Sequence, residues 1–212
     1  MPTQEQLATL KSFGTATIHE AQGQVGAMSS CIKPLEPARR LIGRALTVDC
    51  YPADNLMIHY AITQAQPGDV LVIDAKGFTE GGPWGDILTL AAQKAGIHGL
   101  VIDGMVRDAE TIIEFGFPVF SKGLSIKATN KAQPGRVNVP VICGGVAVKP
   151  GDIVVGDRDG VVVVDPERIS EVIDASRARE DKEESIRQQL EQGKTTVELL
   201  NLAPVLQRLG VR

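Results

Sequence analysis

Residues 85–108 read GDILTLAAQKAGIHGLVIDGMVRD, and the order of elements in that stretch decides the fold. Ile87 to Ala95 carries a helix, and Gly99-Leu100-Val101-Ile102-Asp103 is a short apolar run of strand type. A helix starting at Asp86 and a strand ending near Asp103 fold back on each other. The helix start and the post-strand loop then share one edge of the sheet, where α/β proteins bind ligands. Twenty residues separate Asp86 from the pair Arg107-Asp108. Two carboxylates and one permanent cation at one rim point to a metal-assisted site.

Outward from this unit the chain keeps the α/β pattern. Upstream, Pro67-Gly68-Asp69 turns into the strand Val70–Ile73, and the same turn chemistry recurs at Pro150-Gly151-Asp152 before Ile153-Val154-Val155. Helices are expected over Gln4–Ser12, Thr17–Gly23 and Asn55–Gln64, with a strand over Ala45–Cys50. Downstream, a short helix after Asp108 ends at Gly116, and Pro118-Val119-Phe120 starts another strand. Val137 to Val164, rich in β-branched residues and broken by Gly and Asp, reads as a β layer. Asp165-Pro166-Glu167 is a strong helix start, with Asp as N-cap and Pro at the first position. That helix is expected to reach about Gly193. Its apolar stripe (Ile169, Val172, Ile173) gives way to an almost wholly polar stretch over Arg177–Glu184. A last helix is expected from Thr196 to Leu209. With no linker rich in Pro, Gly or Ser, residues 1–212 read as a single domain.

Composition narrows the function. A net charge of −4 and a pI near 5.4, with no dense Lys/Arg cluster, argue against nucleic acid as a partner. No apolar run approaches membrane-spanning length, and Met1-Pro2-Thr3-Gln4-Glu5 lacks the segments of a signal peptide. Cys31, Cys50 and Cys143 are odd in number and irregularly spaced, so they read as buried apolar residues in a reducing compartment. A cytoplasmic location is expected.

The chemistry concentrates in two places. Gly77 to Asp86 holds four glycines before a helix start, a backbone that can approach an anion and offer it free N–H groups; the alternative is a surface loop with Asp86 as N-cap. At Arg107-Asp108, a carboxylate at a strand's C-terminal end suits Mg²⁺ or Mn²⁺, and together the two residues could hold a 2-oxo acid, with the metal on its keto and carboxylate oxygens and the arginine on the oxygen that becomes negative in an enolate. Asp108 as a plain N-cap beside a surface arginine is the alternative. Asn55 and His59 share a helical face at i, i+4 and are candidates to line the pocket, although a buried hydrogen-bonded histidine explains His59 nearly as well. His19 fits a cap network or an anion pocket, and His98 a helix C-terminus.

Gly85-Asp86, twenty residues and Arg107-Asp108 together resemble the signature of the class II pyruvate aldolases of the HMG/CHA type. The resemblance extends over Gly14–Ala21, Asp54–His59, Val101–Asp108, Pro118–Gly123, Val139–Val141 and Gly151-Asp152. It implies an α/β fold of the β/β/α swivelling-domain (RraA-like) type, assembled as homotrimers or homohexamers with active sites between subunits. The helices over about 166–209 would then contact a neighbour. It also implies roles: Asp108 binding the divalent metal (Mg²⁺ or Mn²⁺), Arg107 on the keto or enolate oxygen, and Asp86 positioning a proton-shuttling water. Gly85 and the backbone N–H groups of Ile87 and Leu88 would cradle the substrate carboxylate. Glu183, from a neighbouring subunit's long helix, would complete the metal site, unless that stretch is simply a solvated charge run. The implied reaction is cleavage of 4-hydroxy-4-methyl-2-oxoglutarate or 4-carboxy-4-hydroxy-2-oxoadipate to release pyruvate, with oxaloacetate decarboxylation as a side activity. The same fold also serves as a non-catalytic inhibitor of ribonuclease E, which is the competing implication.

Overall fold

The computed structural model describes residues 2–211. The chain opens with α1 (Gln4–Ser12), held by a Thr3/Gln6 capping box, and α2 (Thr15–Ala21). The strands that follow are β1 (Lys33–Pro34), β2 (Leu41–Asp49), β3 (Asp69–Asp74), β4 (Gly99–Ile102), β5 (Met105–Val106), β6 (Val119–Ser121) and β7 (Gly123–Leu124). Helices α3 (Leu56–Gln64), α4 (Asp86–Lys94) and α5 (Ala109–Glu114) connect them. The stretch expected as one β layer does form strands, β8 (Arg136–Val137), β9 (Val141–Cys143), β10 (Val146–Val148), β11 (Ile153–Gly156) and β12 (Val161–Val164), but β8, β11 and β12 join the main sheet while β9 and β10 form a separate hairpin. The long α6 (Ile169–Glu191) and the short α7 (Thr196–Leu199) and α8 (Ala203–Arg208) close the chain.

The main sheet runs β1-β6-β4-β3-β2-β11-β12, with β8 also on β2. Strands β2, β3, β4 and β6 are parallel, in the register Leu46–Leu71–Leu100–Val119. Every residue of the central β3 is buried, as a parallel strand covered on both faces requires. Period-two alternation sorts its side chains. Leu71 and Ile73 join Leu46, Leu100 and Ile102 beneath α3 and α4, while Val70 and Val72 join Val101, Phe120 and Val154 beneath the β9–β10 hairpin. That hairpin turns through Gly144 and Gly145, both at positive φ, as a two-residue loop of the primed type demands. On β11 and β12, Ile153, Val155, Val162 and Val164 pack against Leu10, Ile18, Ile169 and Val172 of the terminal helices. This is the β/β/α swivelling-domain arrangement expected.

Helix α6 starts as expected: Asp165 Oδ1 accepts from Glu167 N at 2.9 Å over one 3-10 turn at Pro166–Arg168. Its buried residues end at Ser176, so the outer half leaves the core of its own chain. Two expectations need correction. The final helix is broken between Leu200 and Leu202, because Asn201 takes a left-handed conformation (φ +51°) and Pro204 restarts the helix as α8. Cys50 and Cys143 are buried, but Cys31 is exposed in the loop before β1. Among the described residues no helix is long and apolar enough to cross a membrane.

Candidate active site

The site sits at the C-terminal ends of β3 and β4, built from the loop entering α4 and the turn entering α5. The first loop is tied down by its backbone. Trp84 pairs with Val106, Trp84 O accepts from Arg107 N at 2.9 Å, and Gly82 N donates to Lys127 O at 3.0 Å. Glycine at 82 is required by closeness, since a Cβ there would overlap Ser125 O. Glycine at 85 is required by the site itself. A Cβ would overlap Asp108 Oδ2 and stand 3.3 Å from both Cγ and Nε of Arg107.

Gly85, rather than Asp86, is the N-cap of α4, and Asp86 is the first helical residue. Thr89 N to Gly85 O (3.0 Å) is the first intrahelical bond, so the N–H groups of Asp86, Ile87 and Leu88 have no helical acceptor. Two of them meet carboxylates. Asp86 Oδ1 accepts from Ile87 N at 2.7 Å, and Asp108 Oδ2 accepts from Asp86 N at 3.4 Å.

Asp108 stands at the N-cap position of α5 but its side chain caps nothing there. It adopts φ +58°, ψ +40°, a left-handed conformation that costs on the order of 1 kcal/mol for a residue other than glycine. Strain of this kind collects at functional sites. The result is a carboxylate directed at the start of α4 and 3.5 Å from Arg107 Nε. Among the described residues Arg107 makes no other ion pair, so its guanidinium keeps donors for a ligand.

Asp86, Arg107 and Asp108 line one cleft of about 420 Å³, with Thr111, Ser125 and Ile126 on its walls. The volume suits a small organic acid. Its surroundings are apolar and open: Ile87 is 71% exposed and Ile126 93%, with Leu90 and Leu124 also exposed.

Other candidates fall elsewhere. Asn55 is buried, donates to Pro83 O at 2.8 Å and braces the loop from behind; neither it nor His59 lines this cleft. His59 Nε2 is buried without a hydrogen-bond partner among the described residues, and burial, helped by Lys131, holds its pKa below the usual imidazole value. Glu183 lies on the outer half of α6, paired with Arg179 at 2.9 Å and Arg187 at 3.8 Å, and not in the cleft of its own chain. His19 Nδ1 contacts Val25 O at 3.0 Å. Among the described residues no group of three or more His, Cys, Asp or Glu could hold a metal by itself. Trp84 and Thr89, which anchor the Gly85 peptide, were not singled out from sequence; the one hint was a lone tryptophan among four glycines.

A mixed sheet whose parallel strands end at a cleft lined by Asp86, Asp108, Glu110 and Arg107 defines the class, an α/β protein with a charged cleft at the carboxyl edge of its sheet. The chain belongs to the RraA-like family (Aldolase/RraA), which matches residues 15–163. A relative in Halalkalibacterium halodurans, provisionally named a 4-hydroxy-4-methyl-2-oxoglutarate aldolase, is 36% identical over 179 residues, covering 84% of this chain and 85% of that one. An uncharacterized protein of Pseudomonas syringae superposes with a TM-score of 0.79 at 31% identity, over 93% of this chain and 97% of the other. Streptomyces coelicolor RraAS2, described as an unusual member of the RNase ES inhibitor RraA protein family, superposes with a TM-score of 0.76 at 31% identity, over 88% and 97%.

Proposed function

We propose that this protein is a divalent-metal-dependent lyase that cleaves 4-hydroxy-4-methyl-2-oxoglutarate or 4-carboxy-4-hydroxy-2-oxoadipate, releasing pyruvate, and that decarboxylates oxaloacetate as a side activity. The observation that carries this reading is the packing of Asp108 and Arg107 against a glycine that leaves no room for a Cβ. A purely structural N-cap needs no such approach.

The chain's groups fit the reaction. The Ile87 N–H already binds a carboxylate oxygen, that of Asp86, and a substrate carboxylate takes over this donor together with Leu88 N–H at the positive end of α4. Arg107 donates to the keto oxygen, which gains negative charge as the bond from C3 to C4 breaks and its electron pair enters the enolate. The 4-hydroxyl passes its proton in the same step to the water held by Asp86. Water held by Asp86 then delivers a proton to C3, giving pyruvate. Loss of CO₂ from oxaloacetate yields the same enolate, hence the side activity.

The residues present also fit a hard cation. Asp108 offers a carboxylate unused by its own helix, and Mg²⁺ or Mn²⁺ needs only one or two protein carboxylates beside its waters. Asp108 would hold it, with Glu183 of a neighbouring copy as the second acid in a trimer or hexamer. The exposed apolar rim around the cleft and the departure of α6 from its own core both favour such sharing. A bound cation supplies Lewis-acid stabilisation of developing negative charge.

The competing reading, a protein that binds ribonuclease E without chemistry, draws on the likeness to RraAS2 but gives Asp86, Arg107 and Asp108 no task. Arg107→Ala separates the two. Pyruvate release should fall by about 10² to 10³, the usual cost of removing one oxyanion donor, with thermal unfolding unchanged. Near-normal turnover in that variant would sink the mechanism.

A further inference from the structure

We propose that Trp84 and Thr89 act as a positioning pair that fixes the peptides on both sides of Gly85 and so sets the spacing between Arg107 and the start of α4. The kinetic consequence rests on the pyruvate-enolate reading above; the geometric claim does not.

Trp84 is the chain's one tryptophan and is wholly buried, although it lies in a glycine-rich loop. Its ring stacks on Phe117 with centroids 6.0 Å apart and planes 13° apart. The indole Nε1 donates to Thr89 Oγ1 at 2.7 Å, and that hydroxyl donates to Gly85 O at 2.9 Å. Tryptophan has only a donor to give, so the hydroxyl must accept from it and spend its own proton on the carbonyl. The direction of the chain is thereby fixed, and bonds in series strengthen one another.

Peptide planarity turns this buried chain into a device for the site. The Gly85 carbonyl and the Asp86 N–H belong to one rigid plane and point opposite ways. Thr89 holds that carbonyl twice, through its backbone N–H at 3.0 Å and through the hydroxyl at 2.9 Å, and this aims the Asp86 N–H out toward Asp108 Oδ2, 3.4 Å away. The preceding peptide is pinned as well, because Trp84 O accepts from Arg107 N at 2.9 Å. One residue thus holds the backbone of Arg107 with its carbonyl and the entry to α4 with its indole. Neither Trp84 nor Thr89 lines the cleft.

Packing alone would be served by Phe and Val at these positions. Replacing both partners of a buried hydrogen bond by apolar groups of similar shape is nearly neutral for stability. The double variant Trp84→Phe/Thr89→Val is therefore the test, measured by thermal unfolding and by steady-state oxaloacetate decarboxylation with Mg²⁺. Misplacement of site groups by about 1 Å costs up to 10²-fold in rate. The expected result is a stable fold, kcat down at least about tenfold, and KM changed by less than about threefold. Thr89→Ser, which keeps the hydroxyl, should retain the wild-type kcat. Wild-type kcat in the double variant, or an equal loss in Thr89→Ser, overturns the proposal. Should the double variant not fold, Thr89→Val against Thr89→Ser carries the same comparison. If the wild-type protein releases no pyruvate, the enolate reading fails and amide exchange decides the geometry. The Thr89 and Arg107 amides should then exchange at least about tenfold faster in the variant than in wild type, relative to Val154 in β11. Unchanged exchange refutes the pair.

Discussion

Gly85→Ala separates the chemistry of this site from its architecture. Gly85 has φ −152° and ψ −165°, extended backbone that alanine adopts without strain, so the substitution brings no conformational penalty. Reduced freedom of the unfolded chain would even stabilise by about 0.4–1 kcal/mol. The added methyl would overlap Asp108 Oδ2, and restoring ordinary contact at 3.4 Å or beyond requires the carboxylate to move by about 1 Å. Asp108 is partly exposed and can yield, but doing so breaks its contact with Asp86 N and presses on Arg107 Nε. A 1 Å displacement of this kind costs on the order of 10² in rate, or about 2.7 kcal/mol of transition-state stabilisation. The assay is pyruvate release from oxaloacetate with Mg²⁺, read beside thermal unfolding. Gly14→Ala is the control, since its Cβ would meet only Thr17 Oγ1 at 3.7 Å. Activity should fall about a hundredfold in Gly85→Ala and stay unchanged in Gly14→Ala, with both melting temperatures near wild type. Full activity in Gly85→Ala would refute the argument that close approach of Asp108 to this backbone is part of the machinery.

Two further outcomes are expected. Burial holds the His59 pKa below the ~6.5 of an unfolded chain, so the unfolded state binds more protons. The stability contribution is complete above about pH 6.5 and is lost as pH falls through the depressed folded-state value. Denaturant unfolding at pH 8 and pH 5 should therefore show wild type losing stability that His59→Gln keeps; parallel losses would refute the assignment. For Glu183, co-expressed Asp108→Ala and Glu183→Ala chains, each inactive alone, should regain activity in mixed oligomers, with about a quarter of sites intact if each site takes one acid from each of two copies. No recovery in demonstrated mixed oligomers would place the second metal ligand elsewhere.

Much of the fold was legible because local signals agreed with tertiary need. The run from Asp86 to Asp103 carries helix period and then strand composition, and Asp165-Pro166 starts α6 as its chemistry dictates. The break in the last helix was not legible, since the leucine spacing fits one helix and only the left-handed Asn201 interrupts it. In the candidate site, spacing brought Asp86, Arg107 and Asp108 to one rim, where the structure has them. The orientation of Asp108 depends on a positive φ that no periodicity reveals. The i, i+4 spacing of Asn55 and His59 reads as one helical face, but Asn55 is the N-cap before α3, its carbonyl accepting from His59 N at 3.2 Å, and spacing cannot say what its side chain meets. For Asn55 it is the Pro83 carbonyl, at the back of the loop. Trp84 was hidden for the same reason, because Phe117, far along the chain, stacks on its ring only in the folded protein, and the nearby Thr89 reads as an ordinary helix residue.

Metal-dependent lyase activity is tested by measuring pyruvate release from 4-hydroxy-4-methyl-2-oxoglutarate and from oxaloacetate, with Mg²⁺ and again with excess EDTA. A metal-dependent lyase releases pyruvate from both substrates, and EDTA abolishes the release until Mg²⁺ or Mn²⁺ is added back. No release from either substrate, by folded protein with metal present, would contradict the proposed lyase activity.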